Sequence, residues 1–172
     1  VFEDTPGGNE FLSPIIESLS NQKIISITYK RFNSSDSKEW FVEPTLIKQS
    51  NRRWYLIGRI KGYDNIAVFA LDRIQTLDIT DQSYTPENLK DIKTRLNEVI
   101  GVNIDDDYDC EPVVVRVYGK QRAYIESLPL HFSQRVKETN KDFTDYELTI
   151  RPEYEFQRTI PVSYTHLRAH ET

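Results

Sequence analysis

Cysteine is nearly missing from this 172-residue chain: Cys110 stands alone. A single thiol can form neither an internal disulfide nor a cysteine-based zinc site. Long apolar runs are missing too, and no stretch approaches the roughly 20 residues of a membrane helix. The opening Val1-Phe2-Glu3-Asp4 has no basic segment ahead of an apolar one, so it does not read as a secretory leader. No glycine-rich phosphate loop occurs. No Ser-His-Asp or Cys-His set can be assembled around His131, so no catalytic activity is expected. Neither a cofactor nor a metal is expected, and a cytoplasmic protein fits these absences. No initiating methionine is present, and both ends are expected to be incomplete.

What is present is enough for a packed core: 38% of residues are apolar and 12% aromatic. The net charge of −5 is unevenly spread. From Gln22 to Thr80 there are ten Lys and Arg against six Asp and Glu, a net of +4, and the remainder carries −9. A basic module beside an acidic one points to an anionic ligand for the first. Charge scattered over an ordinary small surface is the competing explanation.

The hydrophobic period changes along the chain. Asn9 to Gln22 reads as a helix, with Phe11, Leu12, Ile15, Ile16 and Leu19 at helical spacing, Ser13 as a candidate N-cap and Pro14 in the first turn. From Ile25 the period is two: Ile25, Ile27 and Tyr29 alternate with Ser26, Thr28 and Lys30. Turn chemistry at Asn33–Ser37, Ser50-Asn51 and Gly62–Asn65 separates further extended stretches, Trp40–Lys48, Arg53–Arg59 and Ile66–Leu71, and Asp72–Ile79 adds one more. Five short strands over about 60 residues suit a closed SH3- or Sm-like antiparallel barrel, with Trp54 and Leu56 turned inward. Pro86 opens a second helix, Glu87–Val99, stopped by Gly101. Residues 103–109 form an acidic linker lacking the glycine and glutamate of an EF-hand loop. Strand Val113–Tyr118, helix Lys120–Ser127, and strands Phe132–Lys137 and Tyr146–Arg151 make a small α+β module that is expected to be incomplete after Phe156.

The expected class is therefore α+β. A linker and helix (1–22) precede a barrel (23–82), a connecting helix and acidic linker (83–109) and a truncated module (110–161). The last segment, Val162–Thr172, resembles one reading frame of a transposase-type sequencing adapter. It is expected to be foreign to the fold, to pack on nothing and to have no partner strand. That expectation also sets aside the His166-x3-His170 spacing as a metal pair.

The run Arg53-Trp54-Tyr55-Leu56-Ile57-Gly58-Arg59 carries a family resemblance. So do Ile25–Tyr29 as a first strand, Glu43-Pro44-Thr45-Leu46 as a second-strand proline motif, and Phe69-Ala-Leu-Asp-Arg73-Ile74 as a closing motif. In that order they resemble WYL-domain proteins. Pro129–Gln134 is similar to the extension that follows the domain in such regulators. The resemblance implies an Sm-like barrel that senses a nucleic acid or nucleotide. It sits behind an N-terminal helix-turn-helix domain, not seen in this sequence, through which promoter DNA would be bound. It implies a bacterial transcription regulator, of a family several of whose members are tied to DNA damage or phage defence. A homodimer is expected, and a purely structural, dimerising module is the alternative.

Five residues are candidate ligand contacts: Tyr29, Arg31, Tyr55, Arg59 and Arg73. Tyr55 lies between Arg53 and Arg59 on one face of its strand, and Tyr29 and Arg31 share a face of theirs. An aromatic ring can stack a base while guanidinium groups hold phosphate. Tyr55 capping the barrel, and Arg73 in a salt bridge with Asp72 or another carboxylate, are the structural alternatives. Ala67 and Ala70 stand near places where many members of the family carry arginine, so weak phosphate binding is expected.

Overall fold

The computed structural model describes residues 6–86, 88–104 and 107–160, and the backbone of 165–168. The chain divides into two compact units, Val1–Lys90 and Asp91–Thr172. Each has its own apolar core.

The first unit starts with a single 3-10 turn, Asn9–Phe11, that runs into helix α1, Leu12–Asn21. Phe11, not Ser13, is the N-cap, and no side chain caps the helix. Pro14 lies in the first turn, where its missing N–H leaves no bond unmade. Ile15 is fully buried, and Phe11, Leu12 and Leu19 pack beside it, while Ile16 is left to solvent. The helix ends at Gln22 in a left-handed conformation (φ 53°), whose N–H returns to Ser18 and Leu19 carbonyls.

Five strands follow: β1 (Lys23–Lys30), β2 (Ser37–Ser50), β3 (Arg53–Ile60), β4 (Ile66–Ala70) and β5 (Ile74–Ser83), with a 3-10 turn at Leu71–Arg73 between the last two. All pair antiparallel in the order β4-β3-β2-β1-β5. The five expected strands are present, but the expected closure is not. Among the described residues no ladder joins β4 to β5, so the sheet keeps two edges. The five-residue β4 runs straight into the 3-10 turn, and β5 beyond it takes its partner from β1, at the far side of the sheet order from β4.

The sheet nevertheless curls strongly. In a flat sheet β1 and β4 would stand three strand spacings apart, roughly 14 Å. Here the Tyr29 ring on β1 meets the Phe69 ring on β4 edge-on, with centroids 5.1 Å apart. A register shift between Pro44 and Leu46 bends the long β2. Gly58 on β3 lies opposite this bulge, and a Cβ there would come within 2.5 Å of the Glu43 carbonyl oxygen, so only glycine permits the approach. Ile25, Ile27, Val42, Leu56, Phe69, Leu71 and Ile74 fill the concave face together with Ile15. Trp54 packs half-buried against this core, on the inward face expected for it.

Helix α2 (Leu89–Leu96) starts in the last two residues of the first unit, and the second unit goes on with β6 (Glu111–Tyr118), α3 (Gln121–Ser127), β7 (Arg135–Thr139), β8 (Phe143–Ile150), α4 (Tyr154–Thr159) and β9 (Thr165–Arg168). α2 is shorter than the expected Glu87–Val99; Glu87 itself lies outside the described residues, as do Asp105 and Asp106 of the acidic linker. The antiparallel sheet has the order β7-β8-β6-β9. Along the chain this is a β-α-β-β-α-β succession. Val113, Val115 and Val117 alternate inward from β6 to meet Ile125, Tyr146, Leu148, Ile150 and Phe156.

Two expectations are corrected here. The module does not stop at Phe156, which lies inside α4, and β9 follows that helix. Nor is the 162–172 segment partnerless: Thr165–Arg168 pairs with Val113–Arg116 of β6. A strand edge presents backbone N–H and C=O groups that an extended segment of almost any sequence can satisfy. His170 lies outside the described residues. Among the described residues, no group of three or more His, Cys, Asp or Glu is placed to hold a metal. None of their helices is long and apolar enough to cross a membrane.

Candidate ligand-binding site

The β1–β2 hairpin pairs Tyr29 with Lys38 and Ile27 with Trp40. Since side chains alternate, Tyr29, Lys38 and Trp40 share the concave face with Ile25 and Ile27. Arg31, two residues on, continues the row past the end of β1. A cleft of about 250 Å³ opens here, lined by Tyr29, Arg31, Ser34, Asp36, Ser37, Lys38 and Trp40. It combines two cations, two aromatic rings, two serine hydroxyls and one carboxylate.

The aromatic floor is held by the core. Trp40 and Tyr29 both pack on the apolar cluster. The Tyr29 hydroxyl accepts a hydrogen bond from the Ala70 N–H at 3.2 Å. Burial raises the Tyr29 pKa above its ordinary value, while the Ala70 bond and the nearby Arg73 partly oppose the rise. Asp72 and Tyr55 push it up slightly, so all four groups stand within electrostatic reach of the phenol.

The cations at the rim are parked on aromatic faces. The Lys38 ammonium lies 4.0 Å from the Trp40 ring centroid. The Arg73 guanidinium lies 4.2 Å from the Phe32 ring, which is itself 78% exposed. Exposed contacts of this type contribute only about 0.5–1 kcal/mol, so an anion can draw either cation away. The Asp72 carboxylate lies 3.2 Å from Arg53 Nε, a partner other than the neighbouring Arg73 that the structural alternative named.

The five candidate residues thus do not form one pocket. Tyr29 and Arg31 line the cleft, and Arg73 stands beside them against Phe32. Tyr55, Ile57 and Arg59 occupy the opposite face of β3 from the core residue Leu56. Four residues along a strand place Arg59 roughly 13 Å from Tyr55. Ile57 between them is fully buried, so the middle of this row is no open platform. Arg59 is half-buried and directly opposite Glu43 in the β2–β3 ladder.

Sequence reasoning did not single out Phe32, Asp36, Lys38 or Trp40 as site residues. The available signal was the short hairpin loop, which returns the chain so that Lys38 and Trp40 face the end of β1. In the second unit His131 is tied at both ring nitrogens, to Ser133 Oγ (2.7 Å) and the Asn97 carbonyl (2.8 Å), in keeping with a structural role.

Residues 10–79 match the WYL domain. The match covers α1 and most of the five-stranded sheet, cleft included. Among solved structures, the chain is similar to proteasome accessory factor B/C (PafBC) of Arthrobacter aurescens, at 17% identity with a TM-score of 0.46. That alignment covers 86% of this chain and 22% of the other, so this chain spans well under a third of that protein's length. No curated protein matches the sequence.

Proposed function

We propose that the WYL segment is the sensory module of a bacterial, cytoplasmic transcription regulator, and that its ligand is a nucleotide or single-stranded nucleic acid. The observation that carries this reading is the cleft, which gathers Tyr29, Trp40, Arg31 and Lys38 at the mouth of the curled sheet. Stacking of a base on an aromatic side chain contributes about 1–3 kcal/mol, and phosphate contacts add a salt-sensitive share. Promoter DNA would be contacted by a separate helix-turn-helix domain, as the family resemblance implies. The test is an equilibrium titration with labelled nucleotides and short single strands at low and high salt. Binding that weakens with salt, and weakens further in Arg31→Ala and Arg73→Ala, supports the reading; a folded protein that binds none of these probes refutes it.

A second reading is favoured by a specific feature of the second unit. Tyr124, Leu128, Phe132 and Val136 are 58%, 60%, 76% and 55% exposed around the α3–β7 connection. An apolar surface of this kind suits contact with another copy, making the module chiefly a dimeriser. Sedimentation velocity decides it: a dimer that Phe132→Asp dissociates, in a protein that binds no nucleotide, establishes this second reading over the first.

A further inference from the structure

The hairpin cleft holds one group that general anion binding does not account for, the carboxylate-bearing Asp36. We propose that this cleft takes one free guanine nucleotide and is not a groove for a strand. The proposal rests on the ligand-sensing reading above and narrows it.

Size is the first argument. A volume of about 250 Å³ is below the roughly 300–1,000 Å³ of pockets that enclose a whole drug-sized ligand, so the cleft seats one base and leaves the sugar and phosphate at its open rim. A groove for sequence-tolerant single-strand binding tracks roughly 4–16 nucleotides. The row that would extend such a track is broken: Tyr55 is within electrostatic reach of Tyr29, but Arg59 lies roughly 13 Å further along β3, beyond the fully buried Ile57.

Charge is the second. The Lys38 ammonium covers the Trp40 ring. A base that stacks on Trp40 displaces it, and the phosphate of the same ligand then becomes its partner beside Arg31. One movement opens the stacking surface and supplies the counter-charge.

Asp36 is the third. Toward a bare phosphate it is repulsive, but toward guanine it is complementary. The guanine N1–H and N2–H₂ groups lie side by side as donors, and a carboxylate is acceptor-only with two oxygens. Adenine and cytosine present a ring acceptor next to their amino group, which the second carboxylate oxygen repels. The Ser35 hydroxyl, 3.2 Å from Asp36 Oδ1, uses only one of about four acceptor positions.

The experiment is tryptophan-fluorescence and calorimetric titration of the full chain with GMP, AMP, CMP, UMP, guanosine and a short oligothymidylate. GMP is expected to bind with a fluorescence change that Trp40→Phe abolishes, at least about ten-fold more tightly than AMP or CMP. Asp36→Asn is expected to erase that preference while binding persists. Arg31→Ala should weaken GMP but leave guanosine unaffected. Asp36 and Arg31 lie on an exposed loop, and circular dichroism of both variants shows whether the fold is kept. If the oligothymidylate binds and GMP does not, this inference is overturned while the ligand-sensing reading stands. If neither binds, both fall. Equal affinity for GMP and AMP in wild type and Asp36→Asn alike overturns the role of Asp36.

Discussion

Replacing Tyr29 by Phe isolates a single atom at the junction of core and cleft. The ring keeps its edge-on contact with Phe69, worth about 0.5–1.5 kcal/mol beyond area burial, and its place on the apolar cluster. What is lost is the acceptor for the Ala70 N–H. Ala70 is buried, and a buried donor left without a partner costs about 1–3 kcal/mol. The lower half of that range applies, because the adjacent cleft admits water to part of the site. About 1 kcal/mol shifts the melting temperature of a 60–100-residue unit by roughly 4–8 °C. Native-state hydrogen exchange is the sharper assay, since it reads the Ala70 amide directly. A loss of protection there of roughly five-fold or more is expected, with little change on β2. The hydroxyl also sets a pH dependence. Burial raises the Tyr29 pKa above the ordinary 10.0, so the protonated phenol is favoured more in the folded state than in the unfolded one. Its stabilisation is complete below pH 10 and is lost as the pH rises through the folded-state value. Wild type should therefore converge toward Tyr29→Phe above about pH 10. Unchanged Ala70 protection in the variant would refute the argument that this bond holds β1 to β4.

Other substitutions probe separate parts of the structure. Leu56→Ala removes a fully buried side chain from the first core and should cost about 2–5 kcal/mol, read by urea denaturation of the first unit. Arg73→Ala frees the exposed Phe32 ring and should weaken ligand binding and flatten its salt dependence, with little effect on the unfolding midpoint. Asp145→Asn breaks a two-pronged contact with Arg116, in which both N···O distances are 2.7 Å and the carboxylate is nearly buried. It should lower the unfolding midpoint of the second unit while exchange rates in the first stay unchanged. Gly58→Ala should destabilise the β2–β3 pair, because the atom nearest the added Cβ is the backbone carbonyl oxygen of Glu43, at 2.5 Å; a crystal structure of the variant with an unaltered Pro44 bulge would contradict this.

The strands were legible because burial on one face leaves a two-residue period. Ile25 and Ile27, then Leu56 and later Val113, Val115 and Val117, all face inward as that period requires. α1 was legible from its apolar spacing, but its cap was not: Ser13 has the right chemistry, and the 3-10 turn moved the helix start to the other side of it. Closure of the barrel was not legible either. It depends on whether the two strands at the ends of the sheet order meet, which no local pattern encodes. For the ligand site, Tyr29 and Arg31 were found by face alternation, but the same rule grouped them with Tyr55 and Arg59. Alternation assigns residues to a face within one strand; it does not say which faces of two strands coincide.

The sequence by itself determined the local order: helix before strands, turn positions, apolar faces, and the motif series from Ile25 to Ile74 that matches the WYL domain. These follow from short-range physics, in which each residue's preference depends on neighbours a few positions away. Tertiary structure alone decided that Lys38 and Trp40 stand beside Tyr29, that Asp72 pairs with Arg53 in preference to its neighbour Arg73, and that Tyr29 reaches Ala70 across a curled sheet. Those contacts span from 9 to 41 positions of sequence, and hairpin register, a bulge at Pro44 and sheet twist fix them only once the chain has closed on its core.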